Sequence, residues 1–246
     1  MQSELSPINA NPIVQAPVGA SQDIEDFIYL ISHDVRASVR ALIELPQWII
    51  EDLEKSGVQV EGSVASSIEL MNRHTGRLDR MLVDLLAFSR VGRMQETEKI
   101  HLPTALNEVL DEMRIPAGFL IEHHFEHPSV WLGNRDAMVL LRALISNAIK
   151  HHDKDRGRVL ITSRKVGAIV LLSVSDNGPG IDEKAHERVL APMTTLRPRD
   201  EVEGSGMGLA ISKKIAMHYE GSMRVMSSPF GRGTQIELSL PVSRLS

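Results

Sequence analysis

The chain has 246 residues, 42% of them hydrophobic and 24% charged, with a net charge of −5 and no cysteine. This composition supports a buried core and excludes a chain disordered throughout, disulfides and thiolate metal sites. It offers no basic excess that would favour nucleic acid as a partner, and its length suits a small domain plus a medium one.

Residues 1–21 are rich in Pro, Asn, Ala, Ser and Gln without an apolar period, and read as a flexible tail or linker. They lack the basic and apolar regions of a signal peptide. No run in the chain approaches the ~20 apolar residues of a membrane span, so a cytoplasmic protein is expected. Ser21 and Asp23 then offer caps for a helix whose apolar residues recur at Ile24, Ile28, Ile31, Val35, Val39, Leu42, Ile49 and Leu53. Pro46 should kink it, because proline removes a backbone donor and crowds the preceding turn. After "KSGVQVEG" a second stripe runs through Val64, Met71, Leu78, Leu82, Leu85 and Phe88. Two such helices form an antiparallel hairpin that buries little alone, so residues 22–95 are expected to pair with a second copy as a dimeric four-helix bundle.

From about Glu98 the texture changes. "HLPTALNEVLDEM", "RDAMVLLRALISNAIKHH" and "MGLAISKKIAMHY" read as helices; "RVLITSRK", "AIVLLSVSDNG", "GSMRVMSS" and "GTQIELSLPV" read as strands. Residues 98–246 therefore form an α+β layer, with helices on one face of a mixed sheet. His123, His124 and His127 read as solvated loop residues. His151 and His152 are adjacent rather than three or four apart, which argues against a metal pair on a helix.

Four stretches carry chemistry. In "LISHDVRASVR", His33 lies two positions from both Ile31 and Val35, so at ~100° per residue it points away from the stripe. That is an ordinary place for a surface histidine. Asp34, however, can accept its proton, and Arg36 and Arg40 can hold an anion nearby, which suits a nucleophile attacking a phosphoryl group. In "ISNAIKHHDK", Asn147 and Lys150 share a helix face and can hold Mg²⁺ and phosphate oxygens, or simply mark an amphipathic boundary. In "SDNGPGI", Asp176 ends a strand before a turn containing Gly178 and Gly180. In "GSGMGLAISKKI", Gly204, Gly206 and Gly208 lead into a helix as an anion cradle of bare amides. No Gly-Lys-Ser/Thr follows, so this is not a P-loop, and the third glycine is misplaced for a dinucleotide fingerprint.

In their order, these stretches resemble the H, N, G1 and G2 boxes of the sensor histidine kinases of two-component signalling, in a phytochrome-like subgroup, from about residue 24 to 241. The resemblance implies a dimerisation and histidine-phosphotransfer hairpin followed by a Bergerat-type ATP-binding domain. It implies an ATP-dependent autokinase that phosphorylates His33 and passes the phosphoryl group to an aspartate of a response regulator receiver domain. Its partners would be a second copy of the chain and an upstream sensor that this sequence does not contain. A non-catalytic phosphotransfer or docking module with a vestigial nucleotide domain is the alternative.

By the same resemblance Asp34 takes the proton of His33, Asn147 holds Mg²⁺, and Lys150 lies near the ATP phosphates. Asp176 receives the adenine amino group, with Gly178 and Gly180 making room for the base. Gly204, Gly206 and Gly208 close over the phosphates, residues 182–205 form the lid, and "GRGT" the closing turn. Ala37 stands where many members carry Thr or Asn, Ser38 where proline is common, and Ala143 where a second asparagine is common. Leu190 and Met193 replace phenylalanines before the lid, keeping apolar bulk.

Overall fold

The computed structural model describes residues 18–197 and 204–243, with side chains from residue 28 onward except that of residue 33. Helix α1 spans Val18–Lys55 and α2 spans Gly62–Arg90. Helix α1 thus begins three residues before the expected cap at Ser21, inside the stretch read as linker, and residues 1–17 lie outside the described residues. A helix propagates by backbone hydrogen bonds once nucleated and needs no apolar period to gain another turn. Pro46 lies within α1 without ending it.

The two helices form the expected hairpin, and the seam between them takes up only part of each expected stripe, Val39 and Leu82 among it. Among the described side chains of α1, Ser32, Val39 and Pro46 are buried, and those buried in α2 include Ile68, Leu82 and Leu86. Ile31 is 45% exposed, Leu42 45% and Leu78 40%, and Val35, Ile49, Val64 and Met71 are exposed too. Two helices share only one seam. The remainder of each stripe therefore forms a second apolar face on the outside of the single hairpin.

Beyond the hairpin come β1 (Thr97–His101), α3 (Leu102–Glu112), β2 (Phe119–Phe125), β3 (Ser129–Gly133) and α4 (Asn134–Lys150). They are followed by β4 (Gly157–Val166), β5 (Ile169–Asp176), two short 3₁₀ turns, α5 (Gly208–His218), β6 (Ser222–Ser227) and β7 (Thr234–Pro241). The main sheet has the order β2-β4-β5-β7-β6, parallel between β2 and β4 and antiparallel elsewhere. Strands β1 and β3 make a separate antiparallel pair.

Register explains why the helices lie on one face of the sheet. Ile161 pairs with Val174, which pairs with Ile236, and Leu172 pairs with Leu238, so one face is a continuous apolar surface. That face is covered by Leu140, Leu141, Leu144 and Ile145 of α4 and by Ile211 and Ile215 of α5 in a shared core. The opposite face carries Thr162, Ser173 and Glu237, the last bonded to Arg224. Alternation with period two sorts the two sets.

His123 and His124, expected in a loop, belong to β2, an edge strand whose charged and exposed residues blunt the sheet edge. Among the described residues no helix is long and apolar enough to cross a membrane.

The junction between hairpin and α+β unit is tightly held. Val91 is buried in the α+β core, and Leu85 and Phe88 of α2 pack against that core. Arg135 donates to the carbonyls of Arg90 and Arg93, and Gly92 N–H donates to Asp136 Oδ2 at 2.8 Å. Lys214 Nζ of α5 donates to the Phe88 carbonyl at 2.9 Å and sits 4.4 Å from the centre of its ring.

Candidate nucleotide site

Asp176 ends β5 in the middle of the sheet, 9% exposed. Its Oδ1 accepts the Gly178 N–H at 2.8 Å and the Thr234 N–H at 3.2 Å. Its Oδ2 takes no hydrogen bond from the described residues. Burial pushes the carboxyl above its ordinary pKa, while the amides of Gly178 and Thr234 and the charges of His152 and Arg232 pull it back.

The closing turn around Gly233 is pressed against this carboxylate's own backbone. Gly233 has φ +103°, and a Cβ there would stand 2.0 Å from the Asp176 carbonyl oxygen. No other residue fits, so the "GRGT" turn and the end of β5 form one wall.

The next residue, Asn177, is fixed by a histidine that the sequence reading set aside. Asn177 Oδ1 accepts the Arg158 N–H at 2.7 Å and lies 3.1 Å from His152 Nε2. His152 Nδ1 lies 3.1 Å from the Lys154 amide nitrogen and 3.2 Å from its carbonyl oxygen, so the ring is held on one side by Lys154 backbone and on the other by Asn177. The His152 side chain is buried, with the edge of Phe119 against it at 5.3 Å between ring centres. His152 is therefore a brace for the Asp176–Gly178 turn. Its partner is 25 residues away in sequence, so no local spacing betrays it.

Asn147 and Lys150 occupy the last turn of α4, Asn147 half-buried and Lys150 exposed. Gly208, the first residue of α5, lies 3.8 Å (measured from where its Cβ would be) from Ala143, one turn earlier on α4. The Gly-rich stretch and the Asn147 helix are thereby neighbours. Gly206 has φ +75°, and a Cβ there would come within 2.6 Å of the Thr194 carbonyl, so this loop folds back on the segment that opens the lid. Within that segment Leu190 is buried and Met193 exposed. Residues 198–203 of the expected lid lie outside the described residues.

Between the glycines, Ser205 is buried; its hydroxyl donates to Asp84 of α2 and accepts the Met207 N–H at 3.1 Å. Neither Asp84 nor Ser205 was singled out from sequence, since their contact spans 121 residues. His33 and Asp34 lie on α1, Asp34 exposed, and the His33 side chain lies outside the described atoms. Among the described residues no group of three or more His, Cys, Asp or Glu is placed to hold a metal ion.

Residues 134–244 match the family described as histidine kinase-, DNA gyrase B- and HSP90-like ATPase, so the chain carries an ATPase domain of that class. Cyanobacterial phytochrome A of Nostoc sp. (strain PCC 7120) is 28% identical over 91% of this chain and 29% of its own length. Sensor-like histidine kinase SenX3 of Mycobacterium tuberculosis (strain H37Rv) is 30% identical over 88% of this chain and 53% of its own. The chain thus spans between about a third and a half of these relatives. Full-length ShkA in complex with AMPPNP shares the fold at TM-score 0.67 and 19% identity, over 90% of this chain and 47% of that one. Histidine kinase ThkA in complex with response regulator protein TrrA does so at 0.61 and 21%, over 90% and 64%. Across hairpin and ATPase domain the chain is thus similar to the catalytic cores of sensor histidine kinases of the phytochrome and SenX3 types.

Proposed function

We propose that this core is an ATP-dependent histidine autokinase. A neutral imidazole nitrogen of His33 attacks the γ-phosphorus, an N–P bond forms, the P–O bond to ADP breaks, and Asp34 takes the displaced ring proton. A carboxylate of a response regulator then attacks the same phosphorus, giving an acyl phosphate and restoring the histidine. Such transfers rely on positioning and charge neutralisation.

The observation that carries the reading is the half-committed carboxylate of Asp176. One oxygen is pinned by two amides, and the other is left for a donor such as the adenine amino group. Gly178 and Gly180 border that place, and Lys150 with Gly204, Gly206 and Gly208 supplies the phosphate cradle. Asn147 contributes a single amide oxygen toward a cation. That fits Mg²⁺, which keeps waters and substrate phosphates as its other ligands and neutralises charge during transfer.

A helical hairpin followed by an α+β unit supports a division into a phosphotransfer hairpin over 22–95 and a catalytic domain over 98–246. The exposed apolar face of Ile31, Leu42 and Leu78 supports a homodimeric bundle. ThkA, solved with a response regulator, supports a receiver domain as the acceptor. Input would come from segments or proteins outside this chain, as the longer relatives suggest.

Incubation with Mg-ATP labelled at the γ-phosphate tests the proposal. The full chain should take an acid-labile, base-stable label and His33→Ala should take none. Label retained in His33→Ala overturns the phosphoacceptor assignment, and a chain that binds no nucleotide overturns the kinase reading.

A further inference from the structure

Resting on that reading, we infer that Asp84 is a positioning residue that holds the Gly-rich loop against the hairpin at the height of His33. Its placement follows from the register of the two helices. Arg36 Nε lies 3.2 Å from Asp79 Oδ1, and Arg90 donates to the Tyr29 hydroxyl at 3.1 Å. These pairs bracket His33 on α1 and Asp84 on α2. His33 lies about 4.5 Å along the axis from Arg36, and Asp84 about 7.5 Å from Asp79. Both residues belong to the same short stretch of the hairpin.

At that height the Asp84 carboxylate accepts the Ser205 hydroxyl, and Ser205 Oγ in turn accepts the Met207 amide just ahead of α5. The contact is selective in its chemistry. Ser205 is buried between two glycines that offer no side chain, so its hydroxyl is the only side-chain handle on the Gly204–Gly206 turn. Burial pushes the Asp84 carboxyl up, and the Ser205 hydrogen bond followed by the charges of Lys150 and Arg80 pulls it back. The hydrogen bond to Ser205 is what ties this residue of the hairpin to the Gly-rich loop.

The neighbouring fasteners do not do the same thing. Lys214 grips the backbone at Phe88, one turn further along α2, and Arg135 and Asp136 grip the linker beyond it. They fix that the domains touch. Asp84 fixes where the phosphate loop stands relative to the phosphoacceptor. An in-line transfer is sensitive to displacements of about 1 Å, so loss of this contact should lower the rate of transfer without lowering the affinity for nucleotide.

The test uses the full chain with Asp84→Ala, Asp84→Asn, Ser205→Ala and the double alanine variant. Initial rates of His33 labelling are followed against ATP concentration, alongside equilibrium binding of a fluorescent ATP analogue and thermal melts. Asp84→Ala should lower kcat about ten-fold while KM and analogue affinity move less than about two-fold. Asp84→Asn keeps an oxygen acceptor for Ser205 and should recover most of the rate. The double variant should be no slower than the slower single variant, as expected for one shared interaction. An unchanged or faster Asp84→Ala overturns the inference, and so does a loss of affinity that matches the loss of rate, because Asp84 would then belong to the nucleotide site. Wild-type chain that takes no label on His33 overturns this inference and the kinase reading together; wild-type labelling with an unaffected Asp84→Ala removes only the inference.

Discussion

The Tyr219 hydroxyl donates to Asp136 Oδ2 at 2.9 Å while accepting the Gly133 N–H at 2.9 Å, and the carboxylate it serves is 2% exposed. That same Oδ2 accepts the Gly92 N–H from the linker, so one buried acid ties the last turn of the chain's helical layer to the exit from the hairpin. Tyr219→Phe leaves Asp136 short of one partner and should cost about 1–3 kcal/mol of stability, read from urea unfolding.

The same pair sets an alkaline limit. Burial, with Asp136 second, pushes the Tyr219 phenol from 10.0 up to about 12. Between those values the unfolded chain has lost the proton and the folded chain still holds it. Stability from this group is therefore full below pH 10 and falls as pH rises toward 12. Melting temperature should drop through that window in the wild type, and Tyr219→Phe should flatten the drop. An equal slope in both proteins would sink the assignment.

At the proposed adenine position, Asp176→Asn replaces a two-acceptor group by one that must also present a donor. The Oδ1 bonds to Gly178 and Thr234 can survive on the amide oxygen, which puts the NH₂ where an amino group would approach. Nucleotide affinity should fall on the order of 100-fold with little change in the fold, checked by calorimetry and circular dichroism.

His152→Ala removes the ring that holds Asn177 and leaves a cavity beside Phe119. Stability should fall by about 2–4 kcal/mol, and nucleotide affinity should fall with it because the turn after Asp176 loses its brace. A variant that melts lower but binds nucleotide as tightly as wild type would confine His152 to packing.

For the bundle, Leu42→Glu and Leu78→Glu place charges on the outer apolar face and leave the inner seam untouched. Each should shift sedimentation from dimer to monomer at micromolar concentration, because an unpaired charge at a buried interface costs several kcal/mol. A wild-type chain that sediments as a monomer would remove the basis for the homodimer.

The long helices and the paired hydrophobic strands were legible in the sequence because period and length agree along them. α4, β4, β5 and β7 each lie within a residue or two of where their patterns place them. β1 was not legible: "TEKIH" buries one residue, Ile100, and its partner β3 is equally short. β2 was hidden by its polar edge residues. The stripe of α1 shows its period in the sequence, but which part of it meets α2 and which part is left outside the single hairpin does not show there, since periodicity reports that a face is apolar and says nothing about what covers it. The site divides in the same way. Asp176 and the glycines are readable because the backbone forces their identity, whereas Thr234 acts through an amide that any residue but proline supplies, and Asp84, His152 and Ser205 act through partners that only the tertiary fold brings near.

Pro46 sits in the seam of α1 with no amide hydrogen to give, so the Leu42 carbonyl lacks its usual partner one turn up the helix. The missing bond makes Pro46, about 20 Å along the axis from His33, the place where α1 resists bending least. The segment that bears the histidine can lean toward the Gly-rich loop, or away from it, without the bundle coming apart.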